Sequence, residues 1–168
     1  MRALVCHPQT PCNAVRNVEA QVEKTLQGTL EIGYRIEGDL ERVRIPRPRA
    51  AAAGERLWQH TCCELFVARH GAPAYHEFNF SPSGEWAAYA FSAYREGLAL
   101  QVDDPKISVR RSPTVLELRA TLREAGKLRL GLSVVIEDDS GGLSFWALRH
   151  PAGKPDFHHP EAFGLEIE

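Results

Sequence analysis

Strict alternation of apolar and polar residues is the feature that most constrains how this chain can fold. In LEIGYRIEG, residues 30–38, the side chains of Leu30, Ile32, Tyr34 and Ile36 fall on one side, and charged side chains alternate with them. Successive side chains of a β-strand point to opposite faces, so a period of two is typical of a strand with one buried face. The segment therefore predicts a strand that packs one side on a core.

The same pattern recurs along the rest of the chain. TVLELRATL and KLRLGLSVVIED alternate in the same way, LSFWALRH resumes after the turn signal DDSGG, and GLEIE closes the sequence as a short strand. One short helix is predicted within AAAAGERLWQ, residues 50–59. Short strands separated by Pro- and Gly-rich connectors predict an all-β chain, a single-domain antiparallel β-sandwich.

Length and charge narrow the function classes. The 168 residues suit one domain spanning 1–168, and 20 Lys and Arg against 22 Asp and Glu leave a formal net charge of -2. Neither nucleic acid nor an acidic membrane surface is therefore predicted as a partner. The first twelve residues lack the apolar core of a secretory signal, and no apolar run is long enough to cross a bilayer. We expect a cytoplasmic protein, and the oligomeric state stays open.

The four cysteines are predicted to be reduced. Cys62 and Cys63 are adjacent, so on a strand their side chains point to opposite faces and do not pair easily. Cys6 and Cys12 form no CxxC pair with them or with each other. No structural metal site is predicted from this spacing.

The segment YHEFNFSPSGEW departs from an ordinary core strand. A period of two puts Glu77 and Asn79 on one face, while Phe78 and Phe80 occupy the other. In the preceding strand, HTCCELFVA, Glu64 interrupts a strongly apolar run. If the two strands pair, Glu64 and Glu77 approach each other on one face, where two like charges need a cation, a shared proton or ligand hydroxyl groups. Two readings stay open: a solvated sheet face, or the floor of a concave ligand site.

The order LWQHTCCELFVA, YHEFNFSPSGEWAAYAFSAYREG and FWALRHPAGKPDFHHPEAF resembles the DOMON-like proteins related to family 9 carbohydrate-binding modules. The resemblance covers most of residues 57–163. It implies a sandwich of the jelly-roll type whose members bind sugars or haem. In sugar-binding relatives tryptophan rings hold the ligand, polar side chains contact its hydroxyl groups, and calcium can support the fold.

The resemblance and the aromatic stretch together predict a non-catalytic module for a carbohydrate or sugar-containing metabolite. Hydroxyl groups or a charge would be contacted by polar side chains, aromatic rings would stack, and histidines would close the rim. The predicted ligand-binding residues are Trp58, Glu64, Glu77, Asn79, Trp86, Tyr89, Arg95, Trp146, His150 and His158. Among the tryptophans, Trp146 lies in an apolar strand and is also the strongest candidate for the core.

No cofactor is predicted. The haem-binding branch of the resembled group uses a Met and His pair, whereas the only methionine here is Met1. Calcium remains open, because EGDLE and EDDSGG are acidic turns without the ligand spacing of a recognised calcium loop.

Two alternative functions remain. The loop RHPAGKPDFHHPEAF concentrates His150, Asp156, His158 and His159, so a small enzyme could use residues 150–159 as a general base, with Asp156 orienting an imidazole. A glycosidase using Glu64 and Glu77 is a variant of this idea. The other alternative is a protein-interaction module that has lost sugar binding. No nucleophile elbow, P-loop, dinucleotide fingerprint or HExxH motif is present.

Overall fold

All the strands predicted from alternation are present in the computed structural model, which describes residues 1–168. The structure contains thirteen strands and three short 3-10 helices. The strands are β1 (Arg2–Ala3), β2 (Val5–Cys6), β3 (Val15–Lys24), β4 (Thr29–Gly38), β5 (Cys62–Arg69), β6 (Tyr75–Phe80), β7 (Trp86–Ala93), β8 (Glu96–Ala99), β9 (Ser108–Arg111), β10 (Val115–Arg123), β11 (Leu128–Glu137), β12 (Leu143–Ala147) and β13 (Leu165–Ile167). The 3-10 helices span Leu40–Arg42, Leu57–Gln59 and Pro160–Ala162.

The strands form two antiparallel sheets. The smaller sheet has the order β1-β3-β4-β10-β9, and the larger has the order β2-β12-β11-β5-β6-β7-β8. Strand β13 pairs with the first residues of β11, before the stretch that pairs with β12. The two sheets pack as a sandwich, which confirms the predicted all-β fold class.

The main core lies between the sheets and is built from the alternating residues. Leu30, Ile32 and Ile36 of β4 belong to it, together with Leu132 of β11 and Leu65 of β5. The hydroxyl group of Tyr34 crosses this core and donates to the backbone oxygen of Glu64 at 2.6 Å. Because Tyr34 lies on the smaller sheet and Glu64 on the larger, this bond ties the two sheets together.

The predicted helix within residues 50–59 is largely absent. Only Leu57–Gln59 forms a single 3-10 turn, and Arg56 before it adopts a left-handed backbone with φ of 53°. The residues upstream are extended instead, since the Trp86 amide donates to the Ala52 oxygen and the Gly54 amide donates to the Trp86 oxygen. These bonds to β7 take the place of helical ones, which alanine content alone does not predict.

A second hydrophobic cluster lies on the opposite face of the larger sheet. We call it the outer cluster; its buried residues are Phe66, Ala68, Tyr75, Val135, Ala147, Phe157, Ala162 and Phe163. The last three belong to the loop between β12 and β13, residues 148–164, which we call the C-terminal loop. Gly131 allows this close approach, because a Cβ there would lie 3.3 Å from Cβ of Phe66 and 3.5 Å from Cδ1 of Phe163.

The four cysteines are free thiols, and Cys62 and Cys63 are both buried. No helix in the structure has the length and apolar character needed to cross a bilayer.

Candidate functional site

A pocket opens on the outer face of the larger sheet, and we call it the outer-face pocket. Its volume is about 390 Å³, within the range of small-molecule sites. The larger sheet supplies the floor, while the C-terminal loop and the turn between β7 and β8 supply walls. The lining residues are Trp58, Glu64, Glu77, Tyr89, Phe91, Arg95, Val135, Phe145, Pro155, Asp156, Phe157 and His158.

Strand register brings the two predicted carboxylates together on this floor. Glu64 of β5 pairs with Asn79 of β6, and Glu77 of β6 pairs with Phe66 of β5, so the carboxylates occupy diagonal positions on one face. Their exposures are only 3% and 6%. The sequence expectation that β5 and β6 pair with both glutamates on one face is confirmed.

Burial changes the ionisation of both groups. Burial and the charge of Glu77 raise the pKa of Glu64 well above its usual range, which favours the neutral form of this carboxyl group. Burial also raises the pKa of Glu77 to about 7, although the nearby Asn79 amide and the Arg95 guanidinium act in the opposite direction. The floor therefore holds one neutral carboxyl group beside one that is about half ionised at pH 7.

Two polar side chains on this floor, those of Asn79 and Ser133, form no hydrogen bond of normal geometry. Asn79 is fully buried, and neither its amide nitrogen nor its amide oxygen forms a hydrogen bond of normal geometry. Its amide is near enough to Glu77 to favour the charged carboxylate, but short of a formed bond. The Ser133 hydroxyl is likewise near enough to Glu64 to favour the charged form of that carboxyl group, but it forms no hydrogen bond of normal geometry. Buried polar groups usually form hydrogen bonds within the protein. A cluster of groups that do not is therefore typical of a site where a bound ligand supplies the partners.

His158 is held over Glu77 by a directed chain of contacts. The Arg95 amide donates to the Tyr75 hydroxyl at 3.1 Å, and that hydroxyl lies 2.9 Å from Nδ1 of His158. When the Tyr75 hydroxyl donates to Nδ1, the His158 hydrogen lies on Nε2, 3.5 Å from Oε2 of Glu77. Burial and the charge of Arg95 lower the pKa of His158 to about 4, while Asp156 opposes them. The imidazole is therefore neutral at pH 7.

An ion pair joins the C-terminal loop to the turn between β7 and β8. The Arg95 guanidinium donates to Oδ1 of Asp156 at 2.9 Å, and the Tyr94 hydroxyl donates to Oδ2 of the same carboxylate. Burial acts to raise the pKa of Asp156, but Tyr94 and Arg95 outweigh it and the pKa is lowered. Arg95 has a left-handed backbone with φ of 58°, which costs a non-glycine residue about 1 kcal/mol. We call this contact the loop latch.

Aromatic rings form the walls. Trp58 is the middle residue of the 3-10 turn before β5 and is 46% exposed. Tyr89 and Phe91 lie on β7, where the Phe91 ring stacks on Tyr75 with centroids 4.7 Å apart. Phe145 of β12 contacts Phe157 edge to face at 5.8 Å. The site is thus an apolar enclosure over a floor of acidic and amide groups.

The structure brings together seven of the ten predicted residues. Six of them line the outer-face pocket, and Asn79 lies in the same sheet face between Glu64 and Ala87. The six are Trp58, Glu64, Glu77, Tyr89, Arg95 and His158.

The other three predicted residues lie elsewhere. Trp146 is 6% exposed in the core between the sheets, and its ring nitrogen donates to the Ser144 hydroxyl at 3.0 Å. Trp86 pairs with Phe80 and lines a different surface depression, formed with residues 99–102. His150 is held by the Val5 carbonyl oxygen at 2.7 Å from Nε2, and burial lowers its pKa. None of these three side chains lines the outer-face pocket.

Sequence reasoning missed half of the pocket lining. Phe91 could have been found, because it follows Tyr89 by two residues and shares its strand face. Asp156 was expected to orient an imidazole, but it accepts from the His158 backbone amide at 3.1 Å, and Tyr75 contacts the ring instead. Val135, Phe145 and Phe157 carry no comparable signal, because only long-range packing brings them to the site.

The acidic turns satisfy their own side chains. In DDSGG, Oδ1 of Asp138 accepts from the backbone amides of Ser140 and Gly142, both at 2.9 Å. The Ser140 hydroxyl donates to the same oxygen at 2.6 Å and, with the amides, lowers the pKa of Asp138. The structure contains no group of three His, Cys, Asp or Glu side chains arranged to hold a metal ion.

Comparisons with known proteins give a likeness of fold. No protein-family model matches the chain, and no curated protein matches it in sequence. Among solved structures it is similar to the crystal structure of a "putative carbohydrate-binding protein" from Bacteroides uniformis, with a TM-score of 0.67 and 16% identity. The match covers 97% of this chain and 83% of the other. At that identity the likeness establishes that the two proteins share a fold, a β-sandwich.

Proposed function

We propose that this protein is a non-catalytic binding module that holds a carbohydrate or sugar-containing small molecule in the outer-face pocket. The observation that carries the proposal is Glu64, a carboxyl group that lines the pocket and is 3% exposed, beside Asn79 and Ser133, whose buried polar atoms form no hydrogen bond of normal geometry. A buried polar group without a partner is costly, and a ligand hydroxyl group would supply the missing bond.

The combination of aromatic walls and an acidic floor favours a sugar as the ligand over a wholly apolar molecule. A sugar ring has apolar C–H faces and polar edges, and here exposed Trp58 and the ring of Tyr89 stand beside the acidic floor. Small-molecule sites of this kind are mostly apolar with a few placed polar groups. The fold shared with the Bacteroides uniformis protein supports the same class of ligand, and we propose on this basis the finer relationship to family 9 modules and DOMON-like domains.

A panel of sugars tests the proposal by thermal unfolding and titration calorimetry. Mono- and disaccharides, amino sugars and nucleotide sugars are compared with wild type, Glu64→Ala and Trp58→Ala. A ligand at 100 times its Kd should add about 2.7 kcal/mol of stability to wild type, and the two variants should lose this gain. Trp86→Phe is the matched control, since Trp86 lines a different depression. If the folded wild type binds no sugar of the panel, the proposal is contradicted.

A second candidate is an acid–base enzyme acting on a glycoside. The observation that favours it is the neutral Glu64 beside the half-ionised Glu77, since paired carboxyl groups with separated pKa values can act as acid and base. Incubation with aryl glycosides separates the two functions. Release of the aryl group by wild type and not by Glu64→Gln would favour the enzyme, whereas binding without turnover would favour the module.

A further inference from the structure

The outer-face pocket contains more carboxyl groups than cations. Glu64, Glu77 and Asp156 line it, and Arg95 is the one guanidinium. Arg95 already pairs with Asp156 at 2.9 Å through the loop latch. The charge of Arg95 is thus largely balanced by Asp156, and the two floor glutamates have no cation paired with them.

The contacts of the floor glutamates are weak. Glu64 is almost entirely buried, and the Ser133 hydroxyl beside it stops short of a hydrogen bond of normal geometry. Glu77 contacts one basic side chain: its Oε2 lies 3.5 Å from Nε2 of His158. That imidazole is neutral at pH 7, so it does not balance the charge of the carboxylate. Two buried carboxyl groups side by side need a cation or a shared proton to be stable. In the empty pocket protons fill this role, because burial holds Glu64 neutral.

The walls suit a positive charge as well. The faces of Trp and Tyr rings attract ammonium groups, and Trp58 and Tyr89 both line the pocket. A primary ammonium group has three hydrogen-bond donors and no acceptor, which matches a floor made of acceptor oxygens. A neutral hydroxyl group fits the same space, but it cannot neutralise a second carboxylate.

We propose that the ligand is an amino sugar whose protonated amine lies against Glu64 and Glu77. This inference rests on the carbohydrate site proposed above and names its ligand class. The ammonium group replaces the protons that the carboxyl groups hold in the empty pocket. The ammonium charge therefore favours the ionised form of both carboxyl groups, completes the ionisation of Glu77 and releases the displaced proton to solvent.

Other ionisable groups face these two carboxyl groups and enter the same linkage. They are Cys62 on β5, Tyr75 on β6, Tyr89 on β7, Arg95 in the following turn, and Asp156 and His158 on the C-terminal loop. Burial raises the pKa values of the thiol and both phenols, so these three groups stay protonated at pH 7. Asp156 and His158 have lowered pKa values and are already deprotonated there. The released protons must therefore come from Glu64 and Glu77.

Titration calorimetry at pH 7 tests the ligand class with matched sugars. The probes are the methyl glycosides of glucosamine and galactosamine, their N-acetylated forms, which lack the charge, and the parent glucoside and galactoside. We expect at least one amino sugar to bind about tenfold tighter than both of its neutral counterparts. Its binding heat should differ between phosphate and Tris buffers, because released protons are taken up by buffers with different ionisation enthalpies.

Variants separate this inference from the proposed function. Glu77→Gln and Glu64→Gln should bring the preference for the amine close to one, while Glu31→Gln, on the exposed face of the smaller sheet, should keep it. Equal or tighter binding of the neutral glycosides overturns the amine and leaves the carbohydrate site standing. A folded wild type that binds no glycoside of the set overturns both.

Discussion

Replacing Glu77 with glutamine is expected to stabilise the protein at pH 8 much more than at pH 4. Burial raises the pKa of this carboxyl group from the ordinary 4.5 to about 7 in the folded protein. Glutamine has nearly the same shape and no charge to bury. The variant therefore removes the free-energy penalty that the folded protein bears when Glu77 ionises inside the pocket.

The sign and size of the effect follow from the two pKa values. Below pH 4.5 the carboxyl group is neutral in the folded and unfolded chains, so it contributes no pH dependence. Between pH 4.5 and 7 the unfolded chain loses its proton first, so stability falls as pH rises, and above pH 7 the loss is constant. A difference of about 2.5 pKa units corresponds to about 3 kcal/mol in the free energy of unfolding.

Urea denaturation of wild type and Glu77→Gln at pH 4, 6 and 8 measures this difference. The comparison between the two proteins is needed, because His158 titrates in an overlapping range with the opposite sign. Its pKa is lowered to about 4, so its contribution to stability is lost as pH falls from 6.5. Glu31→Gln, on the exposed face of the smaller sheet, is measured in parallel as the same substitution outside the pocket.

A pH-independent difference between wild type and Glu77→Gln would refute the reasoning. It would mean that Glu77 titrates near its ordinary pKa and that the pocket floor is wetter than its 6% exposure implies. A difference that grows toward low pH would reverse the sign of the argument altogether.

Four further substitutions test other parts of the site and its contrast with the core. Trp58→Ala should weaken sugar binding about tenfold with stability nearly unchanged, since the ring is half exposed, whereas Trp146→Ala should cost about 3 to 5 kcal/mol in denaturant unfolding. If Trp58→Ala and Trp146→Ala had similar free energies of unfolding, the assignment of Trp58 to the pocket and of Trp146 to the core would be contradicted, even if binding were lost. Asn79→Leu should leave the free energy of unfolding unchanged or raise it by about 1 kcal/mol, because the amide has no partner to lose; marked destabilisation would reveal one. Asp156→Asn should speed amide hydrogen exchange in residues 151–159 by weakening the loop latch, and unchanged protection there would show that packing alone holds the loop.

The fold could be predicted because its signal is local. Alternation along β4, β10 and β11 is legible in the sequence, and the short connector between β5 and β6 made their pairing a reasonable expectation. From that pairing alone, Glu64 and Glu77 could be placed on one face. The placement needs only the period of two and an antiparallel neighbour.

The face on which Trp86 lies and the pocket wall formed by the C-terminal loop are not set by alternation within one strand. The turn between β6 and β7 pairs Trp86 with Phe80. Trp86 therefore lies on the sheet face opposite to the face that carries Glu77. A turn longer or shorter by one residue would have reversed that face. The C-terminal loop reaches the pocket because Phe163 packs over Gly131 on β11, a contact between residues far apart in sequence. No local pattern encodes such a contact.

The outer cluster separates the ligand wall from the structural core. Phe157, Ala162 and Phe163 anchor the C-terminal loop on the outside of the larger sheet, whereas the residues that hold the two sheets together lie on its inside. The loop supplies Pro155, Asp156 and His158 to the pocket, and none of these three residues belongs to the packing between the sheets. Substitutions at these three positions can therefore change the shape of the outer-face pocket while the packing of the sandwich beneath it stays the same.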